Sequence, residues 1–196
     1  MKVLSISLAA ALMLAQSSFA GVITYDAFLS GPNEAPPNAS PGTGVGTVVI
    51  DDVANTMVLH MDFTGLLGAT TASHIHCCTG VPGGTAIVAT TSPNFVGFPL
   101  GVTSGTFDST LDLTAASSYN PTFISATGGT IALAEAALLA GIAAGEAYWN
   151  IHTSVVPGGE IRGFLVAEAA TPEPTTMLLA AGALAGLGLL LRRVKA

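Results

Sequence analysis

Residues 56–63, "TMVLHMDF", place a large apolar side chain at every second position, with His60 and Asp62 among the residues between. In an extended chain Met57, Leu59, Met61 and Phe63 share one side, and Val58, His60 and Asp62 the other. A helix would scatter the four large groups around its circumference, because its repeat is 3.6 residues rather than two. The segment is therefore a strand with one dry face, and it commits the chain to a sheet with a covered side. The same reading places strands at 22–29, 44–50 and 106–113, with "DDVAN" turning 44–50 into 56–63 as a hairpin. A short strand covers His74 to Cys77, and two more, Ala147 to His152 and Glu160 to Val166, are joined by "TSVVPGG". "SGPNEAPPNASPG" is a loop, since adjacent prolines cannot continue a ladder. Short strands between Gly, Pro, Asn and Ser punctuation predict an all-β sandwich or barrel.

One segment departs from this. "TIALAEAALLAGIAAGEA" is rich in Ala and Leu, with Ile131, Leu138 and Ile142 near the helical period. It predicts one short helix over 131–143, capped by Thr130, stopped by Gly145 and crossing one end of the sandwich.

Both ends read as addresses rather than fold. Residues 1–20 carry Lys2, an apolar stretch from Val3 to Leu14 and a small-x-small site at Ser18-Phe19-Ala20. That is the layout of a secretory signal peptide, so the chain is expected to be exported. The other end runs Pro172-Glu173-Pro174, an apolar stretch from Met177 to Leu191, then Arg192, Arg193 and Lys195. As a helix, that stretch rises about 22 Å, short of a hydrocarbon core of about 30 Å. Its flanks could extend it into a marginal span with the basic tail on the cytoplasmic side.

Between the ends, 21–170 is expected to be one domain with its own core. It holds eleven acids, from Asp26 to Glu168, against Arg162 alone, a net charge of −10. Phosphate recognition needs clustered Lys and Arg, so nucleic acid is excluded as a partner.

The residues that could carry chemistry are few. His74 and His76 project from the same side of a strand, and His152 ends another strand with Tyr148 and Asn150 on its face. If the two strands are neighbours, three imidazoles converge, a set suited to one zinc or copper ion. The first reading is nonetheless three neutral, partly buried histidines hydrogen-bonded to loop backbone; a mononuclear metal protein, catalytic or not, is its rival. "HIH" resembles the His-x-His of copper–zinc superoxide dismutase, but that binuclear site needs six histidines and an aspartate. Four histidines in the whole chain exclude it. His60 has no companion motif and is expected at the surface.

Cys77 and Cys78 are the only cysteines. A vicinal disulfide, paired metal thiolates and free thiols all remain open for them, whereas redox catalysis would call for Cys-x-x-Cys. Arg162 is expected to clamp one carboxylate, Glu34 or Glu160, as a structural ion pair. "GTGVG" (42–46) precedes a strand instead of opening a helix, and "GVTSG" (101–105) lacks nucleophile-elbow spacing. No catalytic residue is singled out.

Four stretches, "LSGPNEAPP" (29–37), "SHIHCC" (73–78), "AYWNIHT" (147–153) and "PGGEIRGFL" (157–165), together resemble the CHRD domain, a module named from chordin. The resemblance implies an Ig-like antiparallel β-sandwich with no established enzymatic activity, and the chain is expected not to be an enzyme. The last 25 or so residues resemble the PEP-CTERM sorting signal of Gram-negative bacteria: the Pro-Glu-Pro triplet, a short apolar helix and arginines in order. That implies transient anchoring in the inner membrane, processing by an exosortase and removal of the tail, as for other cleaved anchors. A permanent C-terminal anchor is the alternative. The combination implies an exported protein of the cell envelope or extracellular matrix, with a structural or binding role. Its expected partners are the secretion machinery, extracellular polysaccharide or other matrix components, and metal ions.

Overall fold

In the computed structural model, which describes residues 21–168, the chain forms eight strands and two α-helices. The strands are β1 (Val22–Ser30), β2 (Thr43–Asp51), β3 (Thr56–Thr64), β4 (Thr70–His76), β5 (Gly105–Asp112), β6 (Tyr148–Thr153), β7 (Ile161–Phe164) and β8 (Val166–Ala167). The helices are α1 (Pro121–Ala126) and α2 (Ile131–Ala143). The expected signal peptide and sorting tail lie outside the described residues.

β2 and β3 pair over their full nine-residue length, from Thr43 opposite Thr64 to Asp51 opposite Thr56. Their turn is held by the Asp51 carboxylate, which accepts the amides of Val53 and Ala54 at 3.0 and 2.8 Å. Asn55 completes it at φ 52°, a left-handed value that asparagine tolerates better than most residues. The dry side of β3 is as its alternation requires: Met57, Leu59, Met61 and Phe63 are all buried.

All strands belong to one antiparallel sheet ordered β4-β6-β7-β1-β2-β3-β5, with β8 paired to β1. The sheet curls until strands far apart in this order face each other. Phe107 of β5 meets Trp149 of β6 edge-on at 6.5 Å, and Phe95, Phe98 and Phe63 extend the aromatic stack. Gly46 of β2 lies under the same indole, where an added Cβ would sit 3.1 Å from the ring. Trp149 is fully buried, and its indole N–H is satisfied by Ser73 Oγ at 2.8 Å. The architecture is thus all-β and sandwich-like.

Several elements differ from expectation. β4 starts at Thr70 rather than His74 and stops at His76, leaving both cysteines beyond it. Two helices replace the expected one. The missed helix, α1, is a six-residue turn capped by the Asn120 side chain on the Thr122 amide, too short to display a period. α2 spans the predicted residues and is capped by Thr130, but its buried stripe is Ala134, Leu138, Gly141 and Ile142, with Ile131 only half-buried. The last predicted strand divides into β7 and β8 at Leu165.

The segment between β4 and β5 folds back over the free edge of β4. Ala89 N–H donates to Ile75 O and Phe95 N–H to Ser73 O, while Thr90 Oγ1 accepts from Ile75 N–H. An edge strand is thereby covered, and the same loop is delivered over the face that carries the histidines.

Candidate metal centre

Side chains in β4, β6 and β7 alternate between two destinations. Ser73, Ile75, Trp149, Ile151 and Ile161 enter the core. Their neighbours in sequence point to the opposite face, where antiparallel register sets them side by side. His74 lies opposite Asn150 and then Arg162; His76 lies opposite Tyr148 and then Phe164; His152 lies opposite Ala72, one step diagonal to His74. Parity puts His74 and His76 together, and the β4–β6 pairing brings in His152.

The three rings offer one ligand nitrogen each within 4.8 Å of one another. His74 is buried and the other two are half-buried. Every Nδ1 is turned outward to a loop carbonyl: His74 to Pro93 O at 3.0 Å, His76 to Ala86 O at 2.8 Å, His152 to Pro157 O at 2.9 Å. A carbonyl only accepts, so each Nδ1 carries its ring's proton and each Nε2 is a free lone pair. The Nε2 atoms of His74 and His152 nonetheless stand 2.9 Å apart. The Nε2 of His76 is buried without a partner. Four close contacts therefore call for four protons, and three neutral rings supply three.

A fourth proton is disfavoured at this site. Burial, reinforced by the charges of His76 and His152, pushes the His74 imidazole down to about 3. Burial takes His76 down to about 4 and lowers His152 as well. Neutral rings are the metal-binding form, and Nδ1–H donation to a carbonyl is how ligand imidazoles are usually oriented. The cluster fits a single zinc or copper ion in its donor set. It also contains each backbone hydrogen bond of the alternative reading, so the two readings differ only in what lies between the Nε2 atoms.

Around the cluster, the Tyr148 ring stacks on His76 at 4.7 Å with 8° between planes, and the Arg162 guanidinium lies 4.7 Å over the Tyr148 ring. Arg162 is buried and its fork grips main chain: Nη1 donates to Gly84 O and Nη2 to Gly83 O, both at 2.9 Å, and Nε donates to Asn33 O. Glu34 is the neighbouring carboxylate, 3.9 Å from Nε. Burial raises Glu34 to about 7, against the lowering effects of Arg162, the Ala35 amide and Asn150 Nδ2, which donates to it at 3.1 Å.

Glu160 does not pair with Arg162. Residues two apart share a face only in regular strand, and β7 begins after Glu160, which follows Gly159 at φ 127°. The carboxylate turns away instead, fully buried, and accepts Ser40 Oγ at 2.6 Å, Leu67 N–H at 2.6 Å, Gly68 N–H at 3.2 Å and Thr153 Oγ1. Burial works to raise this group, but those four donors together hold it below the usual carboxylate range.

Cys77 and Cys78 are joined by a disulfide directly after His76. Both sulfurs lie against Gly141 of α2, where an added Cβ would overlap them. Both sulfurs thus face the helix rather than the imidazoles: strand alternation turns Cys77 opposite to His76, and the disulfide holds Cys78 beside it beyond the end of β4. His60 lies half-buried at the surface, where it is expected, but it is not isolated: Nδ1 meets Asp108 at 2.7 Å and Nε2 meets Asp62 at 3.2 Å. The functional groups that sequence could not show are the carbonyls of Ala86, Pro93 and Pro157, because any residue type supplies one.

Fold and site together define an all-β module with a three-histidine cluster on the outward face of a curled sheet. The chain belongs to the CHRD domain family, whose model matches residues 25–165 and so takes in all three histidines and the cysteine pair. No curated protein and no solved structure matches the chain.

Proposed function

We propose that this protein is an exported, non-enzymatic module of Ig-like sandwich form, working in the cell envelope or extracellular matrix, that binds one zinc or copper ion through His74, His76 and His152. The observation that carries the reading is the proton shortage: with each Nδ1 committed to a carbonyl, two Nε2 lone pairs face each other at 2.9 Å and a third is buried unpartnered. A cation between them removes the conflict, and the lowered imidazole values argue for a metal over a proton. Bound there, the ion would tie β4 to β6 and act as a fixed positive centre on an acidic body. Non-enzymatic use rests on what the CHRD resemblance implies, and export on the signal-peptide layout of residues 1–20 and the sorting-signal resemblance of the C-terminal residues. In this reading an exosortase acts on the tail, and the acidic body meets matrix components rather than nucleic acid.

The test is metal analysis of protein purified from its native periplasm. Stoichiometric zinc or copper, lost in the His74→Ala/His76→Ala variant, is expected. A metal-free protein whose stability ignores chelator would leave a purely structural matrix role. Mass spectrometry of the mature C-terminus tests export and sorting separately, by showing cleavage near Pro172-Glu173-Pro174.

A further inference from the structure

We infer that Arg162 is a positioning residue for the ligand His76, acting through the 83–86 loop and the Tyr148 ring; the inference rests on the metal-binding reading above. His76 is set by two contacts. Its Nδ1 proton is held by Ala86 O at 2.8 Å, and its ring is held flat against Tyr148 at 4.7 Å. Arg162 governs both. The guanidinium fork fastens the carbonyls of Gly83 and Gly84, two and three residues before Ala86, and its plane sits over the Tyr148 ring. Tyr148 closes the loop, since its hydroxyl accepts the Ala86 N–H at 3.4 Å. Arg162 Nε anchors the whole to Asn33 O in the turn after β1.

The geometry explains why an arginine is needed. Gly83 adopts φ 73°, and Gly80 also has a positive φ, so the 80–84 stretch has little conformational restraint of its own. Two parallel N–H donors on adjacent carbonyls fix the direction of the chain leading to Ala86. A lysine would satisfy charge but present a single point donor without the planar face that lies on Tyr148. His74 and His152 take their carbonyls from Pro93 and Pro157, which Arg162 does not touch, so the effect falls on one ligand of three.

The experiment uses full-length protein with ¹⁵N-labelled histidine, comparing wild type with Arg162→Lys, Arg162→Met and Tyr148→Phe. In metal-free protein, the Nδ1–H resonance of His76 is expected to be slowly exchanging in wild type and lost to exchange in both arginine variants, with the His74 and His152 resonances retained. Titration with cobalt(II) should show a visible spectrum altered in Arg162→Lys and Arg162→Met alike, with affinity about 10–100-fold weaker, as for other outer partners of metal ligands. Tyr148→Phe keeps the stack and removes the hydroxyl; it should accelerate exchange at His76 alone, and serves as the test should the arginine variants not fold. An unchanged His76 resonance and cobalt spectrum in a folded Arg162 variant, full rescue by lysine, or an unchanged His76 in Tyr148→Phe would overturn the inference. If wild type takes no cobalt while the His76 resonance still depends on Arg162, the positioning role stands and the metal reading falls.

Discussion

His74 and His152, 78 residues apart in sequence, meet Nε2 to Nε2 at 2.9 Å across the β4–β6 pair while each Nδ1 is held by a loop carbonyl. A cation that enters binds the folded state and not the unfolded chain, so it must stabilise. At free metal of 100 times Kd the gain is about 2.7 kcal/mol. Thermal denaturation with and without zinc or copper(II) should show a rise in Tm that chelator reverses. His152→Ala should abolish that rise while leaving the metal-free protein folded.

The same cluster sets a pH dependence in chelator. His74 and His76 lie near 3 and 4 in the fold against an ordinary 6.5, and His152 is lowered too. Below 6.5 the unfolded chain takes up protons that the folded one refuses, so stability is full above 6.5 and declines as pH falls toward 3. Glu34 opposes this. Its folded value of about 7 exceeds the ordinary 4.5, so its contribution is full below 4.5 and is lost as pH rises through 7. Three histidines outweigh one carboxyl, and urea midpoints should fall from pH 7 to pH 5. Glu34→Gln removes the opposing slope and should steepen the fall.

Glu160 is a buried carboxylate held by two hydroxyls and two amides. Glu160→Gln places an NH2 group against donors and should cost about 3 kcal/mol, read from urea denaturation at pH 7. The wild-type contribution is present above the ordinary 4.5 and lost as pH falls through the lower folded value. The gap between wild type and variant should therefore narrow only in strong acid.

Gly141 is where α2 approaches the Cys77–Cys78 disulfide. In Gly141→Ala the new methyl would overlap both sulfurs, and the helix must withdraw. The expected loss is about 1–3 kcal/mol, the usual range for overpacking, measured by calorimetry. Gly158→Ala, where an added Cβ meets nothing within 4 Å, is the control and should change little.

Much of this molecule was legible one segment at a time. The alternation of Met57, Leu59, Met61 and Phe63 is a property of a single strand, so the β class, the dry face and the β2–β3 hairpin could be read without knowing any partner. The shared orientation of His74 and His76 followed from parity in the same way, and α2 from its composition and Thr130 cap. Sheet order, which side chains face each other across the curl, and where loops return depend on residues far apart in the chain. Only the tertiary structure decided that β6 lies beside β4, which brings His152 to His74. It also decided that Arg162 grips Gly83 and Gly84 while Glu160 turns to amides at 67 and 68. The reason is physical: side-chain direction is set locally by backbone geometry, whereas a hydrogen bond to a carbonyl carries no mark of residue type and is selected by whichever loop the closed sheet brings within reach.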